Sequence, residues 1–438
     1  MARNAAHTVL PADIAGPRIA VLLLVLALTL IGFVMIYSAS TVSAITESSD
    51  PTAYLVDQLR FAVVGIVAGA LLWKVVPYRV WASPAVYLVW IVAAVMLVLT
   101  FVLGTVGNGA QRWLFIGPVS LQSSEFVKIA LVLVAAKVFA DFREGALTVT
   151  RFAVMLFVLL ALPVAFLYKT QSDLGTTAII ALGIIAVAWL GEAPWKAVAA
   201  LVLGGIVLAA AATFFVSYRS DRMLYLDPWN DGEGGYGRGY QIIHSYYAFS
   251  QGGLFGVGLG NSREKFLYLP ESETDFIFSI IGEEFGMVGA LVVIGLFMAL
   301  LYCGMRIARS APDDFGTMVA GSLTVMIVFQ AFLNIGCAMG VFPTTGKPLP
   351  FISSGGSSLV ASFMMVGLVL AVSEASGEDR EYERRRDDLR IVRATDGPAD
   401  ERRARVSLRP RAAQRLTEAP RRSFAQTAGS STTNRRRR

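Results

Sequence analysis

The chain has 438 residues, 55% of them hydrophobic and 16% charged, with a mean hydropathy of +0.59. Soluble domains carry about 25% charged residues, and a soluble core of this length cannot hide so much apolar surface, so an ordinary soluble protein is excluded. The net charge is +6, yet nearly half of the Lys and Arg residues follow Glu374, which points to a membrane surface or a cytoplasmic partner and away from a nucleic-acid-binding fold.

A membrane-spanning helix needs about 20 mostly apolar residues. The first such run, 18–38, follows Arg18 and ends on Ser38, Ala39 and Ser40. It is longer than the apolar core of a cleavable signal and many runs follow it, so it reads as a retained first span. Further runs lie at 61–77, 82–104, 124–141, 151–168, 174–191, 196–217, 275–303, 316–341 and 355–374. The expected fold is all-α: a polytopic membrane protein of about ten transmembrane helices. Its parts are a cytoplasmic N-terminal segment 1–17, a membrane domain 18–377 and a tail 378–438.

Basic residues set the orientation. Arg3, Arg18, Lys74, Arg79, Arg143, Arg151, Lys196, Arg306 and Arg309 fall in segments that are cytoplasmic if the N-terminus is inside; Arg60, Arg112, Lys169 and Lys347 fall outside. Both termini are therefore expected in the cytoplasm. A long extracellular loop, 217–274, joins helices 7 and 8 and carries Asp227-Pro228-Trp229-Asn230, two glycine-rich stretches and a candidate interfacial helix at 241–249. The tail is expected to be disordered beyond a juxtamembrane helix, with Arg384–Arg386 and Arg435–Arg438 suited to anionic lipid. Cys303 and Cys337 are too few for a disulfide framework and read as packing residues.

Ionisable residues in spans are expensive and mark function. Glu125 and Lys128 open the fourth span on one helix face; Asp173 opens the sixth; Asp275, Ser279 and Glu283 form a stripe on the eighth, with Glu283 and Glu284 set deeper. Arg112 and Lys347 lie in outer loops on the same side, and Glu271 and Glu273 stand beside Asp275. This convergence of both signs at one face suits an anionic, lipid-linked substrate, with Arg112 and Lys128 expected to hold its pyrophosphate. Each group also has a plainer reading: Glu125 with Lys128 as a buried ion pair, Asp173 as a helix cap, Glu283 and Glu284 as partners of a neighbouring helix. The run Gly256-Val257-Gly258-Leu259-Gly260 lacks the strand and helix of a dinucleotide site. Pro350-Phe351-Ile352-Ser353-Ser354-Gly355-Gly356 opens the last span either as a substrate-lining loop or as close packing through small residues.

Five blocks then carry a resemblance. They are Tyr37-Ser38-Ala39-Ser40; Arg112-Trp113-Leu114 through Gln122-Ser123-Ser124-Glu125-Phe126-Val127-Lys128; Gln171-Ser172-Asp173-Leu174-Gly175-Thr176; Tyr240-Gln241 through Leu269-Pro270-Glu271 and Thr274-Asp275-Phe276 to Gly282-Glu283-Glu284-Phe285-Gly286; and Pro343-Thr344-Thr345-Gly346 with Leu349-Pro350-Phe351-Ile352-Ser353-Ser354-Gly355-Gly356-Ser357-Ser358. Taken together and in order, they resemble the SEDS family, which includes FtsW, RodA and SpoVE. The chain departs from the family pattern at Ser123 and Ser172 (usually proline), Glu273 (usually histidine) and Ser354.

The resemblance implies a peptidoglycan glycosyltransferase that polymerises lipid II into a growing glycan strand on the outer face of the bacterial cytoplasmic membrane. It places the family's essential aspartate at Asp275 and a substrate site at Arg112, Glu125, Lys128, Asp173, Glu271, Glu283, Lys347, Ser353, Gly355 and Gly356. It implies a class B penicillin-binding protein transpeptidase and division proteins as partners, besides membrane lipids, and no nucleic acid. No cofactor is assigned, and a divalent cation, Mg or Mn, is left open. The charged tail and the Thr344–Pro350 block favour a role in division at the septum over elongation. A lipid II flippase is the rival of another class, and it should carry its ionisable residues near the midplane. A division scaffold acting through the tail is a third reading.

Overall fold

The structure, a computed structural model, describes residues 12–107, 110–116, 119–196, 198–199, 201–204, 225–237 and 239–395. Its helices are α1 (Ala12–Ser48), α2 (Ala53–Lys74), α3 (Tyr78–Ala82), α4 (Val86–Leu103), α5 (Ser123–Arg143), α6 (Val149–Gln171), α7 (Leu174–Leu190), α8 (Tyr240–Gly252), α9 (Ile277–Arg309), α10 (Asp314–Ala338) and α11 (Gly356–Arg380), the last continuing as helix to Thr395. Every predicted span except 196–217 coincides with a helix. That run, the segment before Ala12, Gly117 and Pro118, and the tail beyond Thr395 lie wholly or largely outside the described residues. The chain divides into a unit Met1–Arg380, which holds all that follows, and a unit Glu381–Arg438, described only over its helical residues 381–395.

Helices α5, α10 and α11 are buried along most of their length, whereas α2, α4 and α6 turn apolar side chains outward. Val63, Leu88, Val102 and Phe157 are each more than half exposed. In water such a surface would aggregate; around a bundle whose backbone bonds are satisfied within helices it is the surface lipid requires. The protein is a polytopic membrane protein.

The sequence reading missed a three-stranded antiparallel sheet between α4 and α5, in the order β1 (Thr105–Gly107), β2 (Ala110–Ile116), β3 (Val119–Gln122). Its register pairs Trp113 with Gln122 and Phe115 with Ser120, so β3 runs straight into the first turn of α5 and fixes where that helix starts.

Two helices are broken, each for a visible reason. In α6, Pro163 has no N–H to give Leu159, and residues 157–161 adopt a π turn. The indole N–H of Trp90 donates to the freed Leu159 carbonyl at 2.8 Å. In α9 the break falls at Gly286 (φ 67°, ψ −165°), a conformation reserved for glycine. There the glycine-rich loop supplies the missing partners: Val257 and Gly258 N–H donate to the Glu283 and Glu284 carbonyls, while Met287 and Val288 N–H donate to Gly253 and Leu254 carbonyls, all at 2.9–3.1 Å. A side chain on Gly256 would strike the backbone of Glu284, and one on Gly286 the backbone of Leu254 and Gly256. The Gly256–Gly260 run is thus a patch over a broken helix.

The break also divides α9 just after Glu283 and Glu284. Residues 287–309 alone reach about 34 Å, enough to cross the roughly 30 Å hydrocarbon layer. Ile277–Phe285 is a buried segment on the N-terminal side of the break, and Glu283 and Glu284 lie near its end.

Charged contacts segregate to the two ends of the bundle. At one end Arg18 donates to the Ser373 carbonyl (2.7 Å), Lys74 pairs with Glu374 (2.7 Å) and Arg143 pairs with Glu192 and Asp314. At the other lie Glu125, Lys128, Asp173, Lys265, Glu284 and Lys347.

Candidate active site

The first turn of α5 places Glu125 and Lys128 on the same face, as their spacing requires. Both are fully buried, and Lys128 Nζ donates to Glu125 Oε2 at 2.5 Å and to Gln330 Oε1 of α10 at 2.7 Å. Asp173 caps α7, its Oδ1 accepting the Thr176 N–H (2.9 Å). Its Oδ2 accepts from Thr176 Oγ1 (2.8 Å) and from Lys347 Nζ (2.6 Å), which also lies 3.8 Å from Glu125 Oε1. Two cations and two carboxylates thus alternate in one buried network. The stem of Lys347 runs over Gly175, where any side chain would collide with it. Deleting one member would strand its partner's charge, which is why such groups come as a set.

Asp275 lies just ahead of α9 in a turn organised by Glu271. Glu271 adopts a left-handed backbone (φ 56°), and its carbonyl accepts the N–H groups of Thr274, Asp275 and Phe276 at 3.1–3.2 Å. Ser353 holds this loop from the other side: Ser353 Oγ donates to the Thr274 carbonyl (2.5 Å) and accepts the Leu349 N–H (2.8 Å), and Ser354 N–H donates to the Glu273 carbonyl (2.9 Å). The Asp275 carboxylate, half-buried, has no hydrogen-bond partner among the described residues, and its pKa is pushed up to about 6. Burial is the main cause; the negative charges of Glu271 and Glu273 add to it, and Lys347 opposes it. Burial also raises Glu273.

The structure therefore joins Glu125, Lys128, Asp173 and Lys347 directly, and sets Asp275, Glu271 and Ser353 against them through the loop 343–355. Gly356 begins α11 where a side chain would meet the ring of Phe61, and Gly355 lies against Pro348. Two expected members stand apart. Glu283 is taken by Ser262 Oγ (2.5 Å) and Arg263 N–H (2.6 Å) and secures the glycine loop. Arg112, half-buried on β2, donates from Nε and Nη2 to the Gln171 and Ser172 carbonyls (2.8 and 3.3 Å). Lys128 is enclosed, and its ammonium donates to two protein groups, Glu125 and Gln330, which is the geometry of its plainer reading, a buried ion pair.

Sequence reasoning missed Gln330 and Asn334, two amides at i, i+4 in the otherwise apolar run 316–341; that spacing was the available signal. It also missed Lys265, buried against Glu284 Oε1 (3.0 Å) and Ser38 Oγ (3.1 Å).

The family model for cell cycle proteins of the FtsW, RodA and SpoVE type matches residues 18–378. The chain belongs to this family. Stage V sporulation protein E of Bacillus subtilis is 38% identical over 370 residues, covering 82% of this chain and 98% of that one. A probable peptidoglycan glycosyltransferase FtsW of Trichlorobacter lovleyi is 38% identical over 368 residues, 83% and 94% of the two chains. Among solved structures, a chain from a peptidoglycan synthase complex that coordinates polymerization and crosslinking superposes with a TM-score of 0.64 at 28% identity, covering 81% of this chain and 97% of its own length. The rod shape determining protein RodA of Thermus thermophilus gives 0.59 at 28% identity, over 81% and 95%. The likeness spans the membrane domain and both of the loops that form the site.

Proposed function

We propose that this SEDS protein is a peptidoglycan glycosyltransferase that polymerises lipid II, with Asp275 as general base. The observation that carries the assignment is the Asp275 carboxylate itself: half-buried, without a hydrogen-bond partner among the described residues, and titrating near 6 in a loop braced from two sides. A base poised just below working pH accepts a proton readily and is still mostly ionised. The acceptor's 4-hydroxyl gives its proton to Asp275 as its oxygen bonds to the donor's anomeric carbon. The bond from that carbon to the lipid pyrophosphate breaks, and the pyrophosphate leaves. Arg112 keeps Nη1 for a phosphate, while Lys347 contributes positive field from beside Asp173. Among the described residues no three His, Cys, Asp or Glu side chains stand together as metal ligands.

On this reading the site end of the bundle faces outward and both termini lie in the cytoplasm. The partner is a class B penicillin-binding protein, and the place of action is the septum. The flippase reading is less well supported, because the ionisable groups described within spans lie towards the helix ends. The test is polymerisation of labelled lipid II by the purified protein with its transpeptidase. Wild type should make long strands and Asp275→Asn none; long strands from Asp275→Asn would remove the assignment.

A further inference from the structure

We infer that Asn334 is a positioning residue that sets the alignment of Asp275 with Lys347. The inference rests on the reading of Asp275 as base. Asn334 lies on α10, 1% exposed, and its Nδ2 donates two hydrogen bonds, to the Asp275 carbonyl (2.9 Å) and to the Lys347 carbonyl (2.8 Å). A single amide thus joins the two loops that bear the base and the cation opposing its charge. Asp275 and Lys347 are 72 residues apart (347 − 275) and share no direct hydrogen bond among those described; their loops also meet where Ser353 and Ser354 bond the carbonyls of Thr274 and Glu273, but only Asn334 binds the backbone of Asp275 and Lys347 together.

The amide can face only one way. Turned over, its oxygen would confront two carbonyl oxygens, so Nδ2 must point at the loops and Oδ1 away. Oδ1 is then buried with no partner among the described residues, an arrangement that costs free energy and gains nothing for packing. Neither Leu nor Asp could replace it, the first having no donor and the second presenting only acceptors when ionised. One helical turn earlier, Gln330 does the same for the adjoining segment: it accepts from Lys128 and donates to the Pro348 carbonyl and Ser358 Oγ (both 3.0 Å). Gln330 thereby braces the buried network, and of these two amides it is Asn334 that bonds the loop of the base.

The charged groups that act on Asp275 are Glu271 and Glu273 on its own loop and Lys347 from the facing one, the last held by Asp173 and Glu125. Releasing the Asn334 clamp separates Lys347 from Asp275 while leaving the two glutamates in place. The result is lower turnover together with an acid limb moved to higher pH.

The experiment measures polymerisation of labelled lipid II against pH, using the full chain with its transpeptidase. The variants are Asn334→Leu, Lys347→Met and the pair combined. Asn334→Leu should lower kcat by about 10–100-fold, the cost of a small misplacement of reacting groups, with a lesser effect on KM. Its acid midpoint should rise by about one pH unit, the size of effect a nearby opposite charge has on a carboxylate. In the combined variant the midpoint should rise no further than in Lys347→Met alone, because both changes remove the same interaction. If Asn334→Leu does not insert, Asn334→Ser, which keeps one donor, takes its place in the same comparison and should show a smaller shift in the same direction. An acid midpoint equal to wild type in the inserted variant, or midpoint shifts that simply add, would overturn the inference. Asp275→Asn run alongside separates the two levels: if it polymerises normally the base assignment itself falls, whereas a dead Asp275→Asn with an unmoved Asn334→Leu midpoint removes the positioning role alone.

Discussion

At the scale of single residues, the site divides into groups that pair with one another and a carboxylate that pairs with none of them. Lys128, Glu125, Asp173 and Lys347 answer one another, and Asp275 answers none of them by hydrogen bond. Because Asp275 must be ionised to accept a proton, activity should be lost as pH falls through about 6, well above the range in which an ordinary carboxylate protonates. The check is the pH dependence of kcat/KM for strand formation; an acid limb near 4 would show that Asp275 is not held in this environment in the working enzyme. Lys128 makes the contrasting case. Removing a fully buried cation leaves Glu125 charged and partly unpaired, so Lys128→Met should destabilise the protein by about 3–5 kcal/mol. Thermal unfolding in detergent measures this. A Lys128→Met protein as stable as wild type but with a raised KM for lipid II would instead restore the phosphate-binding role that its spacing suggested.

Among secondary-structure elements, the breaks matter more than the helices. Gly286 lies at a φ, ψ pair that other residues reach only at a cost of about 1–3 kcal/mol, and any side chain there also meets the backbone of Leu254. Gly286→Ala should therefore undo the stitch to the glycine loop, release the Ile277–Phe285 segment behind Asp275, and lower both melting temperature and polymerisation. An alanine variant with wild-type stability and rate would mean that the stitch is dispensable. Hydropathy made the spans legible because burial in lipid needs only length and apolar content, which is local information. It could not reveal the break, since no proline marks it and the replacement partners come from residues 253–258 across the fold. The small sheet was hidden for a related reason: β1 and β3 are three and four residues long, too short for alternation to register. The charged members of the site were legible because charge in an apolar run is conspicuous. The partners of Glu283 were not, because Ser262 and Arg263 reach it from the glycine-rich loop across the fold.

At the scale of the whole molecule, the question is how much of the chain the reaction needs. The site uses residues from Arg112 to Gly356, all within the unit that ends at Arg380. At the opposite end of the bundle, Arg18 and Lys74 hold Ser373 and Glu374, so α11 is anchored before the charged tail begins. The helix continues to Thr395, but from Glu381 on the sequence is Arg-, Asp- and Glu-rich with few large apolar residues and almost no aromatics. Such a segment gains little by packing into a lipid-embedded bundle; its basic clusters suit anionic head groups or an acidic partner at the membrane surface, each basic residue contributing about 1 kcal/mol there. Truncation after Arg380 keeps both anchors and removes most of the basic excess. The truncated protein should insert, melt and polymerise lipid II in detergent as the full chain does. In cells it should lose whatever recruitment the tail provides, and division should fail without a loss of intrinsic activity. Strand length and rate from the purified truncation, beside cell length after depletion of the full-length protein, separate these two effects. A truncation that inserts normally yet makes no strands would place the tail inside the catalytic unit, against the way the charged contacts are shared between the two ends of the bundle.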